Sequence, residues 1–210
     1  MPDLINSLDQ VIERINAFNA SANKRIIIGI VGKPGAGKST LTDHILNNLP
    51  KGVATIVPMD GYHLSNSQLA RLGLADRKGA PNTFDSEGYV NLLRRLRNDI
   101  DKDVYFPVFH REIEESYAAD GVVLAKTKIV LTEGNYLLLN EMGWQGVAGE
   151  LDEIWYVNID DDLRLGRLTK RHQKFGKDAD AAYAWARGTD EVNAKIVEAT
   201  ASKADYIINL

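Results

Sequence analysis

The stretch Ile26-Ile27-Ile28-Gly29-Ile30-Val31-Gly32-Lys33-Pro34-Gly35-Ala36-Gly37-Lys38-Ser39 changes character half-way along. Up to Val31 it is apolar and mostly β-branched, as in a strand buried on both faces of a parallel sheet. From Gly32 onward it fits G-x-x-x-x-G-K-[ST] without a mismatch. Glycines let successive backbone N–H groups turn inward around a phosphate, and a helix starting near Lys38 adds the positive end of its dipole. Gly32, Lys33, Pro34, Gly35, Ala36, Gly37, Lys38, Ser39 and Thr40 are therefore the expected seat of a nucleoside triphosphate. Lys38 is expected to reach the terminal phosphates, and the Ser39 hydroxyl to ligate magnesium. A glycine-rich turn matching by accident would lack the strand before and the helix after. The motif alone does not separate kinases from GTPases, ATPases or transporters.

Outward from this stretch, apolar runs at Val53 to Val57, Val104 to Phe109, Lys128 to Thr132, Ile154 to Val157 and Tyr206 to Ile208 read as further strands. Helical patterns follow Ser39 and span Tyr89 to Arg97, Leu163 to His172 and Asp180 to Ala199. Leu4, Ile5, Leu8, Val11, Ile12, Ile15 and Phe18 recur at helical spacing and predict an amphipathic helix over residues 1–20. Strands alternating with helices predict an α/β chain with a parallel β-sheet core and helices on both faces. At 210 residues the whole chain is expected to be one domain.

Asp60 follows the second of these strands, in Val57-Pro58-Met59-Asp60-Gly61-Tyr62-His63-Leu64. Carboxyl ends of strands face the ligand crevice of an open α/β sheet. Asp60 is thus either a carboxylate able to accept the proton of an attacking hydroxyl or a turn aspartate before Gly61. Glu133, directly after Ile129-Val130-Leu131-Thr132, has the same setting, with a capping or loop carboxylate as its alternative. His63 is placed either to hydrogen-bond a substrate or to pack beside Tyr62.

These segments resemble the uridine kinase, bacterial pantothenate kinase and phosphoribulokinase group. The resemblance runs through Gly32 to Thr40, Met59-Asp60-Gly61-Tyr62, Arg77-Lys78-Gly79-Ala80-Pro81, Phe84-Asp85 and Thr132-Glu133-Gly134-Asn135-Tyr136. It continues through an arginine-bearing helix to Lys203-Ala204-Asp205. Within the group, the chain is similar to small bacterial members labelled fructose-transport kinases or pantothenate-kinase-like proteins. The resemblance implies a P-loop NTPase three-layer sandwich with a five-stranded parallel core and a small helical lid at about 161–190. It also implies ATP with Mg2+, and phosphorylation of a small-molecule hydroxyl. Asp60 then corresponds to the general base and Glu133 to a second acidic residue near magnesium. Tyr62, His63, Arg77, Lys78, His110, Arg111, Asn135 and Tyr136 fall on the acceptor side. Arg164, Arg167 and Arg171 lie along one helix face, and of these Arg167 and Arg171 are the expected cations for the transferring phosphoryl group. Asp190 and Asn193 are expected near the adenine, and a homodimer is common among such proteins.

Phe109-His110-Arg111 departs from both the pantothenate-kinase and the uridine-kinase patterns at this place. Arg111 suggests an anionic group on the acceptor, or else a salt bridge to Glu112, Glu114 or Glu115.

Two other classes fit less well. A regulatory GTPase needs an Asp-x-x-Gly switch after an apolar strand; Asp76 to Gly79 and Asp85 to Gly88 have the letters without the strand, and the asparagine-lysine-x-aspartate reader is absent. A non-catalytic ATP-binding module would be expected to lack a carboxylate at Asp60 or Glu133, and both are present. A net charge of -4 argues against a nucleic-acid partner. The absence of cysteine excludes disulfides and thiolate metal sites. With no apolar run near ~20 residues and no basic-then-apolar start, a cytoplasmic chain without a membrane partner is expected.

Overall fold

The structure, a computed structural model, describes residues 1–209. In chain order its elements are β1 (Asp3–Ile5), α1 (Leu8–Ser21), β2 (Ile26–Val31), α2 (Lys38–Asn47), β3 (Ala54–Pro58), α3 (Asn66–Leu72), α4 (Ser86–Asn98), β4 (Val104–His110), β5 (Glu115–Val123), β6 (Ile129–Gly134), β7 (Glu153–Asn158), α5 (Asp161–Lys174), α6 (Ala179–Arg187), α7 (Thr189–Glu198) and β8 (Tyr206–Asn209). Among the described residues, six strands form one parallel sheet in the order β1-β8-β7-β2-β6-β3.

The pleat of β2 divides two cores. Ile27 and Val31 face one that contains Tyr89, Leu93 and Leu96 of α4 and Val197 of α7. Ile26, Ile28 and Ile30 face another with Val11 and Ile15 of α1 and Leu41 and Ile45 of α2. Helices thus cover both faces, and the continuous apolar run of β2 is explained by burial on each side.

The resemblance implied five parallel strands; the sixth is β1, where Leu4 and Ile5 pair with Ile207 and Ile208 of β8. Helical spacing alone assigns both residues to the first helix, whereas they form this edge strand. That helix starts only at Leu8, because Ser7 caps it by accepting a hydrogen bond from Gln10 N. Val104 to Phe109 is a strand outside the main sheet: β4 pairs antiparallel with β5, a strand the sequence did not reveal. The helix read over Asp180 to Ala199 is two, broken at Gly188.

Strand register levels the ends that matter. Val31 lies beside Gly134 on one side and Tyr156 on the other, and Pro58 lies beside Glu133. The segments leaving β2, β3 and β6 therefore emerge together at one edge of the sheet. At the opposite edge the buried Arg25 guanidinium donates to the carbonyls of Leu96, Asp99, Leu124, Ala125 and Thr127 at 2.8–3.3 Å.

Candidate active site

The loop after β2 turns at Gly35 (φ 81°) and Gly37 (φ 93°), both in the left-handed region that favours glycine. Gly37 caps α2 without any side-chain hydrogen bond, leaving the first-turn N–H groups of that helix to an anion. Lys38 is buried, and its Nζ donates to Gly32 O at 2.9 Å, Lys33 O at 3.3 Å and Asn135 Oδ1 at 2.7 Å. Burial brings its pKa down to about 8, against the pull of Glu133 and Asp60. Ser39 Oγ donates to Glu133 Oε1 at 2.9 Å.

Asp60 sits in a short turn just past β3, and Glu133 ends β6. Their environments push the two carboxyls apart. Burial raises Asp60, but His63, Arg111, Lys38 and Arg171 outweigh it and hold the carboxyl below its usual range. Burial raises Glu133 and Asp60 adds to the rise, which Lys38 only partly offsets. Divergent carboxyls of this kind pair a carboxylate held in its ionised form with a group that gains from a nearby cation. His63 Nδ1 lies 2.7 Å from Asp60 O, and its ring packs between Phe84 and Phe109.

Helix α5 brings the expected cations. Arg167 and Arg171 line the cavity with the loop. A Cβ built on Gly37 would stand 3.4 Å from Arg167 Nη1, so this guanidinium lies over the phosphate loop. Arg171 is held below its usual value by burial and by neighbouring Arg111. Arg164, the third of the row, is fully buried and turned away: it pairs with Asp161 at 2.7 Å and Glu191 at 2.5 Å and reaches Pro34 O at 3.4 Å. Lys33 likewise points out of the site, to Asp161 at 2.7 Å and Glu198 at 3.4 Å. Both residues tie the loop to α5 and α7.

The cavity measures about 630 Å³. Of the residues singled out in the sequence, it brings Pro34, Gly35, Gly37, Lys38, Ser39, Thr40, Asp60, His63, Lys78, Arg111, Glu133, Asn135, Arg167 and Arg171 together. Gly32 and Ala36 of the loop do not line the cavity, and Gly32 O accepts from Lys38 Nζ. Four acceptor-side candidates are not at the cavity. Tyr62 packs edge-on against Tyr89 in the core, at 5.5 Å between rings. Tyr136 is buried, and its hydroxyl donates to Gly79 O at 2.5 Å, so it holds the Lys78–Gly79 loop from behind. Arg77 donates outward to Asn82 Oδ1 at 3.1 Å. His110 faces across the hairpin to Asp120 at 2.8 Å. Alternation along β4 accounts for this last miss, since consecutive strand residues point to opposite faces.

Arg111 pairs with none of Glu112, Glu114 or Glu115; its Nη2 donates to Asp60 Oδ2 at 2.7 Å. Glu114 instead serves Lys78. Asp190 accepts from His172 of α5 at 2.6 Å, and Asn193 donates to Gly79 O at 3.3 Å, which puts Asn193 on the Lys78–Gly79 side of the cavity. Sequence reasoning missed Asn66, Phe175, Lys177 and Trp185, which also line it. Lys177 Nζ stands 4.1 Å from the Trp185 ring centroid, a pairing with no local sequence signal.

The family model described as phosphoribulokinase / uridine kinase matches residues 27–210. The chain belongs to this family. It is 30% identical to the "putative uridine kinase C227.14" of Schizosaccharomyces pombe, with 99% of this chain and 92% of that one covered. The "putative fructose transport system kinase" of Silicibacter sp. TM1040 superposes with a TM-score of 0.86 at 33% identity, over 96% of this chain and 98% of that one. YFH7 of Saccharomyces cerevisiae shares the fold, with a TM-score of 0.81 at 17% identity over 97% and 98% of the two chains. As a phosphoribulokinase/uridine kinase family member the chain is a P-loop kinase of the small-molecule, ATP-dependent kind.

Magnesium fits the residues of this family member. Ser39 Oγ and Glu133 Oε1 present two hard oxygen donors 2.9 Å apart, and the raised Glu133 carboxyl would gain from a cation. Magnesium usually keeps water and takes phosphate oxygens, so a two-residue seat suffices. Among the described residues no helix is long and apolar enough to cross a membrane.

Proposed function

We propose that this kinase transfers the γ-phosphoryl group of ATP to a hydroxyl of a small metabolite, with Asp60 as general base. One observation carries the reading. The β3–β6 register sets Pro58 beside Glu133, so Asp60 emerges next to the Ser39–Glu133 pair and the phosphate loop, in the same cavity. A hydroxyl there is within reach of both a proton acceptor and a bound phosphate chain.

Lys38 and the unpaired N–H groups opening α2 hold the phosphates, while Ser39 and Glu133 would hold Mg2+, which supplies charge neutralisation when bound. The acceptor oxygen attacks the γ-phosphorus. The bond from that phosphorus to the β–γ bridging oxygen breaks with its electron pair on ADP, and the hydroxyl proton passes to Asp60. Arg167 and Arg171, on a lid formed by α5 and α6, spread their charge over the transferring group. Asn135 orients the Lys38 ammonium through its 2.7 Å contact. A cytoplasmic location belongs to the same proposal.

Asp60→Asn tests it. The amide is nearly isosteric but cannot take the proton, so transfer should fall by about 10²-fold or more while ATP affinity stays within a few-fold. Single-turnover transfer and equilibrium ATP binding, measured on the same preparation, separate the two. Collapse of ATP binding with unchanged transfer per bound complex would make Asp60 a structural residue.

A further inference from the structure

Arg111 enters the cavity from the tip of the β4–β5 hairpin and meets the Asp60 carboxylate at 2.7 Å. Lys78 enters from the loop that Tyr136 and Asn193 hold at Gly79. Its Nζ donates to Asn66 Oδ1 at 2.8 Å and to Glu114 O at 2.5 Å, and stands 3.5 Å from the Glu114 carboxylate. Both cations share one aromatic ring: Lys78 Nζ lies 5.2 Å, and the Arg111 guanidinium carbon 5.9 Å, from the Phe109 centroid. Two cations from separate segments thus converge on the cavity wall. Among the described residues, the anions within 4 Å of them are the protein's own Asp60 and Glu114.

We propose that the acceptor is itself an anion, bearing a carboxylate or phosphate besides the hydroxyl that is phosphorylated, and that this group draws Arg111 off Asp60 as it binds. The proposal rests on the kinase reading above. In the pair, the guanidinium occupies a carboxylate oxygen that would otherwise accept the hydroxyl proton, and it is one of the cations that weaken Asp60 as a base. A carboxylate or phosphate offers Arg111 two parallel hydrogen bonds in exchange. The Phe109 face keeps both cations close while partners change. A neutral acceptor brings nothing to exchange, and the base stays masked. Recognition of the acceptor and unmasking of the base are then a single event.

The test uses acceptors matched in all but charge, such as a sugar with its phosphate and a hydroxy acid with its amide. Phosphoryl transfer from ATP is scored for wild type, Arg111→Gln, Arg111→Lys and Arg77→Gln. The anionic member of a pair should lead by about 30-fold or more in kcat/KM, the scale of a lost charge-assisted hydrogen bond. Arg111→Gln should erase most of that lead, and Arg111→Lys should fall between. In Arg111→Gln the acidic limb of the kcat/KM profile should also move to higher pH, because Asp60 loses a neighbouring cation. Arg77→Gln, whose side chain lies outside the cavity, should do neither. A neutral acceptor that wins, or an Arg111→Gln enzyme that matches Arg77→Gln on anions, overturns the latch and leaves the kinase standing. A folded, ATP-binding protein that transfers to no member of the panel removes both.

Discussion

Lys38 combines burial with three oxygen partners and a pKa near 8, and this makes nucleotide binding pH-dependent in a definite direction. Phosphates favour the ammonium form and raise its pKa, so binding above about pH 8 must take up a proton. Affinity for a non-hydrolysable ATP analogue should be flat up to about pH 8. Beyond that it should weaken by up to about ten-fold per pH unit. Calorimetry in buffers of different ionisation enthalpy should find little proton uptake at pH 7 and close to one proton at pH 9. A flat affinity through pH 9.5 would mean that the ammonium does not reach the phosphates. The role of Lys38 was legible because its motif is contiguous. That of Arg111 was not, since its partner Asp60 is 51 residues away and only the folded hairpin joins them. The facing of Tyr62 and Tyr136 was equally hidden, because a motif gives residue identity and not which side of the backbone meets the cavity.

The β4–β5 hairpin reaches the site by docking on the turn that carries Asp60. A Cβ added at Gly61 would meet Pro107 O at 2.0 Å, so only glycine lets the two backbones close up. Gly61→Ala should push the hairpin outward and cost about 1–3 kcal/mol of stability. It should raise the acceptor KM while leaving ATP affinity within about three-fold, because the phosphate loop lies on the far side of Asp60. Steady-state kinetics over both substrates check this, and equal losses for ATP and acceptor would refute it. The hairpin also shows where pattern reading fails. Strand β5 is largely exposed from Ala118 to Asp120, so no apolar alternation announces it. Strands β2 and β6 could be read from their runs of Ile, Val and Leu, and β7 from its Ile-Trp-Tyr-Val core, because each is packed on both faces.

At the scale of the whole molecule, chemistry and cohesion sit at opposite edges of the sheet. The site gathers at the carboxyl ends of the strands, while Arg25 fastens α4 and the approach to β6 near the amino end of β2 by donating to five carbonyls. Arg25→Met fills similar space but leaves those carbonyls without their donor. It should cost about 2–4 kcal/mol, lowering Tm by about 5–15 °C, with kcat at low temperature unchanged. A thermal melt paired with a turnover assay checks both halves, and lost turnover in a stably folded variant would contradict the separation. The indoles are divided in the same way. Trp144 is sealed among Phe84, Tyr89 and Tyr136, and Trp155 is fully buried in the opposite core. Trp185 alone lines the cavity, on α6, under the Lys177 ammonium. The two sealed tryptophans should therefore supply a near-constant emission background, with the main ligand-dependent change expected from the third. The protein thus carries a built-in optical gauge of how α6 stands over its substrates, readable without attaching a dye.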